Sequence, residues 1–118
     1  MITAVVDTHT ALWYLFNDRR LSDAARSHIE EAAARGDKVA LSSISLAEVL
    51  YLCEKGRIAQ EAFDELVSAV DNPAKVFHEI PLDSLIVRRM RFITRDQVPD
   101  LPDRVIAATG LHLGVAVI

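Results

Sequence analysis

Three short apolar runs, "ITAVVD", "KVALSS" and "KVFHEIPL", are separated by segments whose apolar residues recur at helical spacing. Continuous apolar runs bounded by polar or turn residues suit strands buried on both faces, and helices between them supply parallel crossovers. "THTALWYLFND" places Leu12, Leu15 and Phe16 on one helical face, and "DAARSHIEEAAARG" is a second helix opening at Leu21-Ser22 and closed by Gly36. "SLAEVLYLCEKG", with Ser45 as its N-cap and Gly56 as its stop, is a third, and "QEAFDELVSAV", ended by Asn72-Pro73, is a fourth. "DSLIVRRMRFI" and "PDRVIAATGLHLG" complete the helices, and "VAVI" begins a fourth strand. The predicted order is β-α-α-β-α-α-β-α-α-β. This is an α/β chain with a central, mostly parallel sheet of four to five strands and helices on both faces.

In such sheets ligands sit beyond the carboxyl ends of the strands, near the switch in strand order. Asp7 falls there, at the end of the first strand. No glycine-rich loop follows it, which excludes a dinucleotide fingerprint and a phosphate-cradling P-loop. Glu48 follows the second strand, and Asp100 and Asp103 open the last helix. Each acid has an ordinary explanation: Asp7 caps a helix, Glu48 completes a capping box with Ser45, and Asp103 meets a helix dipole. Their predicted convergence on one sheet edge is harder to explain that way. Clustered carboxylates disfavour one another's ionised forms, and a hard cation with oxygen ligands, Mg2+ or Mn2+, relieves the repulsion.

Length and composition set the remaining bounds. The 118 residues, 51% hydrophobic and 25% charged, fit one domain with its own core. A net charge of −4 argues against a protein held on nucleic acid by bulk electrostatics. It leaves open an enzyme that meets phosphates through a divalent ion. Cys53 is the single cysteine, so no internal disulfide and no cysteine-based zinc site can form, and a reducing, cytoplasmic setting is expected. "MITAVVDTHTALWYLF" reads as neither a signal peptide nor a spanning helix, and no membrane partner is expected. The chain stops in "GVAVI", inside an expected strand, so residues 1–118 read as a single domain lacking its C-terminal strand segment.

"VVDTHTALWYL", "SSISLAEVLYL" and "LPDRVIAATGLHLGVAVI" resemble, in order and spacing, the signature blocks of PIN-domain ribonucleases. The similarity is greatest to the VapC-type toxins of bacterial toxin–antitoxin pairs. The resemblance implies a PIN-like three-layer sandwich, a cognate antitoxin protein as partner, and a homodimer. It also implies Mg2+- or Mn2+-dependent hydrolysis of RNA phosphodiesters, leaving a 5′-phosphate and a 3′-hydroxyl. Asp7, Glu48 and Asp103 match the family's core catalytic and metal-binding acids, with Asp100 as a helper. The family's further acid, just after the fourth strand, has no counterpart in this sequence.

Thr8 is a candidate to orient the Asp7 carboxylate, and equally a helix-start hydroxyl. Arg88, Arg91 and Arg95 would share one helical face for contact with RNA or an acidic partner, or for solvent alone. Arg104 could pair with an acid or touch substrate. His9, His28, His78 and His112 lack metal spacing and read as surface or packed imidazoles. Trp13 reads as core or interface, and Cys53 as a small buried hydrophobe. Two other functions remain open: a PIN-like binding module without catalysis, and a receiver-like phospho-acceptor domain.

Overall fold

Asp7, Ser22, Ser42, Asp83 and Asp100 each cap a helix N-terminus with a side-chain oxygen, and these caps fix where the chain turns from strand or loop into helix. The computed structural model describes residues 1–118. In chain order the elements are β1 (Ile2–Val5), α1 (Thr8–Leu15), α2 (Asp23–Arg35), β2 (Lys38–Ser42), α3 (Ser43–Glu54), α4 (Glu61–Asp71), β3 (Phe77–Ile80), α5 (Ser84–Met90) and α6 (Leu101–Leu113). The predicted alternation of strands with helix pairs is therefore observed.

The strands form one parallel sheet in the order β1-β2-β3. It has three strands rather than the expected four to five. The predicted fourth strand, "VAVI", does run parallel beside β1, but as a single bridge between Val5 and Val117. Its backbone bonds are Val5 N to Ala116 O at 2.9 Å, Asp7 N to Ile118 O at 2.8 Å and Ile118 N to Val5 O at 2.8 Å. The extended run after Gly114 is short, so the pairing amounts to one bridge instead of a ladder. It nevertheless flanks β1 on the side away from β2, which makes the C-terminal end of β1 the switch point of the sheet.

Alternation along the strands divides the core in two. Val39, Leu41 and Phe77 face a large cluster with Leu12 of α1, Ile29 of α2, Val49 of α3 and Leu66 of α4. Val5 and Ala40 face the other way, onto Ile106 of α6. Ile86 of α5 packs with Val105 and Ala108 of α6 beyond it. The three layers of the expected sandwich are thus present. No helix is long and apolar enough to cross a membrane.

Two boundaries differ from the sequence expectation. β2 passes into α3 without a loop, and Ser42 is the N-cap, its hydroxyl accepting from Ile44 N at 3.2 Å. Ser45 lies inside the helix and is fully buried. The other difference is α5, which ends at Met90, because Phe92 N and Ile93 N bond back to Arg89 O and Met90 O in a tighter turn. The Arg104 guanidinium finishes that end, with Nε donating to Ile93 O at 3.1 Å and Nη2 to Met90 O at 3.0 Å. Arg104→Met is expected to lower stability by about 1 kcal/mol through loss of this tie between α5 and α6, measured by urea unfolding.

Candidate active site

Where the C-terminal ends of β1 and β2 meet the start of α6, six polar residues and no hydrophobic one line a hollow of about 350 Å³. They are Asp7, Thr8, His9, Glu48, Asp100 and Asp103. All four predicted acids therefore come from three separate parts of the chain to one place.

Each arrives by a different local device. Asp7 follows β1 and caps α1, its Oδ1 accepting from His9 N at 3.0 Å. Asp100 caps α6, its Oδ2 accepting from Asp103 N at 3.1 Å, and Pro102 fills a first-turn position where no N–H is needed. The capping explanations for these two acids hold, and they coexist with the convergence. Asp103, one turn in, carries its carboxyl into the shared hollow.

Glu48 departs from its capping explanation. Ser42 occupies the cap, so Glu48 has no capping box to close. Its Oε1 accepts from the Thr8 hydroxyl at 2.7 Å. Thr8 Oγ1 also lies 2.7 Å from Ser45 Oγ. A hydroxyl has one proton to give, so with the Thr8 proton on Glu48, Ser45 donates to Thr8. Thr8 and Ser45 are both buried, at 2% and 0% exposure. Thr8 thus orients Glu48, whereas Asp7 was the carboxylate it was a candidate to orient. Ser45 is a residue the sequence reading assigned to the backbone; its position three residues before Glu48, on the same helical face, was the available signal.

Burial and mutual repulsion disfavour the ionised forms of two of these acids. Burial raises the Glu48 carboxyl above its ordinary 4.5, opposed by the Thr8 hydrogen bond, and the Asp100 and Asp103 charges raise it further. Burial likewise raises Asp103 above 3.8, reinforced by the charges of Asp100 and Asp7 and by a hydrogen bond to Asp100. No lysine or arginine pairs with any of the four acids; Asp7 has only His9 Nδ1, 4.0 Å from its Oδ1.

An oxygen-only donor set whose ionised forms repel one another fits a hard divalent cation. No three His, Cys, Asp or Glu side chains are drawn into a ready-made cage.

The arginines stand apart from this picture. Arg88 lies on α5, Arg91 is its C-cap and Arg95 belongs to the following turn, so the three do not share a helical face. All three are exposed. Arg104 is committed to the carbonyls of Met90 and Ile93. His28 bonds Thr3 Oγ1 at 2.9 Å, and Cys53 is half-buried, its Sγ 3.3 Å from Ala59 O.

Known proteins share the fold and the family of this chain. A chain in the crystal structure of VapBC2 from Rickettsia felis, bound to a DNA fragment from their promoter, shares the fold with a TM-score of 0.69. The two are 17% identical, over 99% of this chain and 86% of that one. Ribonuclease VapC22 of Mycobacterium tuberculosis is 40% identical over 58 residues, which are 49% of this chain and 42% of that protein. The PIN domain family matches residues 4–118. The receiver-like alternative is thereby set aside, and this chain belongs to the PIN-domain family.

Proposed function

We propose that this chain is a divalent-metal-dependent endoribonuclease acting as the toxin of a type II toxin–antitoxin pair. The observation that carries the reading is the convergence of Asp7, Glu48, Asp100 and Asp103 on a hollow with no cationic partner from the chain. The similarity to a protein named as a ribonuclease supports the reaction class.

Asp7, Glu48 and Asp103 would hold Mg2+ or Mn2+, with Asp100 in support. When bound, the ion supplies Lewis-acid activation of water and positive charge beside the scissile phosphate. The rest is the work of the chain. Asp7 is fixed by the His9 amide, and Glu48 by the Thr8 hydroxyl. Both carboxylates are thus oriented before substrate arrives, which limits reorganisation during the reaction. Neither Cys53 nor any histidine is needed as a nucleophile.

A cognate antitoxin protein is the proposed partner, in line with the VapC name of the sequence relative and the VapBC complex that contains the fold relative. A homodimer is proposed as well. Leu85 and Phe92, 48% and 69% exposed, offer apolar side chains for contact with a second copy. Arg88, Arg91 and Arg95 are proposed to contact RNA or the antitoxin as separate exposed charges.

The test is a panel of structured RNAs incubated with the protein in Mg2+, in Mn2+ and in EDTA, beside Asp7→Asn. Cleavage is expected only with metal and only by the unsubstituted chain. Equal cleavage by Asp7→Asn, or cleavage that survives EDTA, would overturn the proposal.

A further inference from the structure

Next to the acidic hollow lies a second one of about 320 Å³, and His9 lines both. Its walls include Trp13, Phe16, Asp18, Arg20 and Ile58. Its size falls in the range of small-ligand sites, and its lining joins aromatic faces to a few polar groups, as such sites do.

The polar part is an ion pair at the surface. Asn17 adopts a left-handed conformation with φ of 51° and turns the chain after α1 back on itself. Asp18 then clamps Arg20 through Nε at 3.1 Å and Nη2 at 2.7 Å. This sets the guanidinium 5.2 Å from the centre of the Trp13 ring. The His9 ring lies 5.9 Å from Trp13, tilted by 50°. Phe16 is 49% exposed. A row of imidazole, indole and guanidinium, in contact but with the two rings tilted, therefore begins beside Asp7.

We propose that this second hollow is a nucleobase-binding subsite, taking the unstacked base of a nucleotide adjacent to the phosphate held at the acidic hollow. This deepens the nuclease reading and rests on it for the position of that phosphate. Planar bases stack on aromatic and guanidinium faces. Arg20 Nη1, unused by Asp18, is left to donate to a base edge.

Trp13 is the only tryptophan, so its emission reports directly on the subsite. In EDTA, nucleoside 5′-monophosphates are expected to quench it and ribose 5-phosphate is not. Arg20→Gln should weaken the quenching. An RNA that the protein cleaves should lose about 5- to 100-fold in affinity when one nucleotide flanking the scissile bond is made abasic. Trp13→Leu, followed by anisotropy of labelled RNA, should lose a similar factor, and the two losses should not add.

Equal quenching by ribose 5-phosphate, or none by any nucleotide, overturns the subsite. So does quenching only by peptides, which would assign the hollow to a protein partner. Asp7-dependent cleavage that is indifferent to every abasic substitution also overturns it, while leaving the nuclease reading intact. Base-dependent quenching without cleavage of any RNA has the opposite meaning: the subsite stands and the nuclease reading falls.

Discussion

Asp103→Asn is expected to slow metal-dependent RNA cleavage by roughly 10²- to 10⁴-fold, several kcal/mol of transition-state stabilisation. The same substitution should leave the metal-free protein more stable at neutral pH. Asparagine fills the same volume and removes a charge that Asp100 and Asp7 repel. The pH dependence follows from the direction of the shifts. Asp103 and Glu48 hold their protons more tightly in the fold than at their ordinary values of 3.8 and 4.5. The stability linked to them is therefore complete below those values and is lost as pH rises through the raised folded ones. Asp18, lowered to about 2 by Arg20, and Asp37, lowered by Arg35, act in the opposite sense. The informative quantity is the difference between the unsubstituted chain and Asp103→Asn. In thermal unfolding with EDTA, the variant should gain on the unsubstituted chain as pH is raised from about 4 to 7. Mg2+ should then raise the melting temperature of the unsubstituted chain more than that of the variant, since ligand binding stabilises the state that binds it. A variant that cleaves normally would remove Asp103 from the metal-binding set.

Thr8→Val is the second large effect. Valine matches threonine in shape, but takes the donor from Glu48 Oε1 and the acceptor from Ser45 Oγ. Ser45 is fully buried, so losing its hydrogen-bond partner is expected to cost about 1–3 kcal/mol. The freed Glu48 carboxylate should lower cleavage by about 10- to 100-fold, as substitutions behind metal-binding groups commonly do. Thr8→Ser keeps the hydroxyl and should recover most of both losses. A readout specific to positioning is the Mg2+ concentration for half-maximal cleavage, which should rise in Thr8→Val and return in Thr8→Ser. A valine variant with lower stability but an unchanged Mg2+ requirement would make Thr8 structural only.

The element order was legible because several helices announce their ends locally. Ser22 and Gly36 bracket α2, and Asp100 with Pro102 opens α6. The places where local reasoning failed are those where a distant group won. Ser45 looked like a cap because Glu48 follows at capping-box spacing, but Ser42 took the cap and Thr8, on another helix, took both side chains. Arg104 looked free beside Asp103, yet the carbonyls at the end of α5 needed a donor and its guanidinium reached them. The helical row of Arg88, Arg91 and Arg95 dissolved because α5 tightened and stopped at Met90. Local spacing carries no record of such long-range partners.

By itself the sequence determined the alternation of strands and helices, the acids at their ends and the absence of a phosphate-cradling loop, because periodicity and capping are short-range properties. The tertiary structure decided what those acids face. It brought Asp7, Glu48 and Asp103 to one uncompensated hollow, set Thr8 on Glu48, and placed the Trp13–Arg20 stack next door. The physical reason is that charge repulsion and hydrogen bonding act through space. Their partners are chosen only when the sheet has closed and its carboxyl edge has gathered three separate segments.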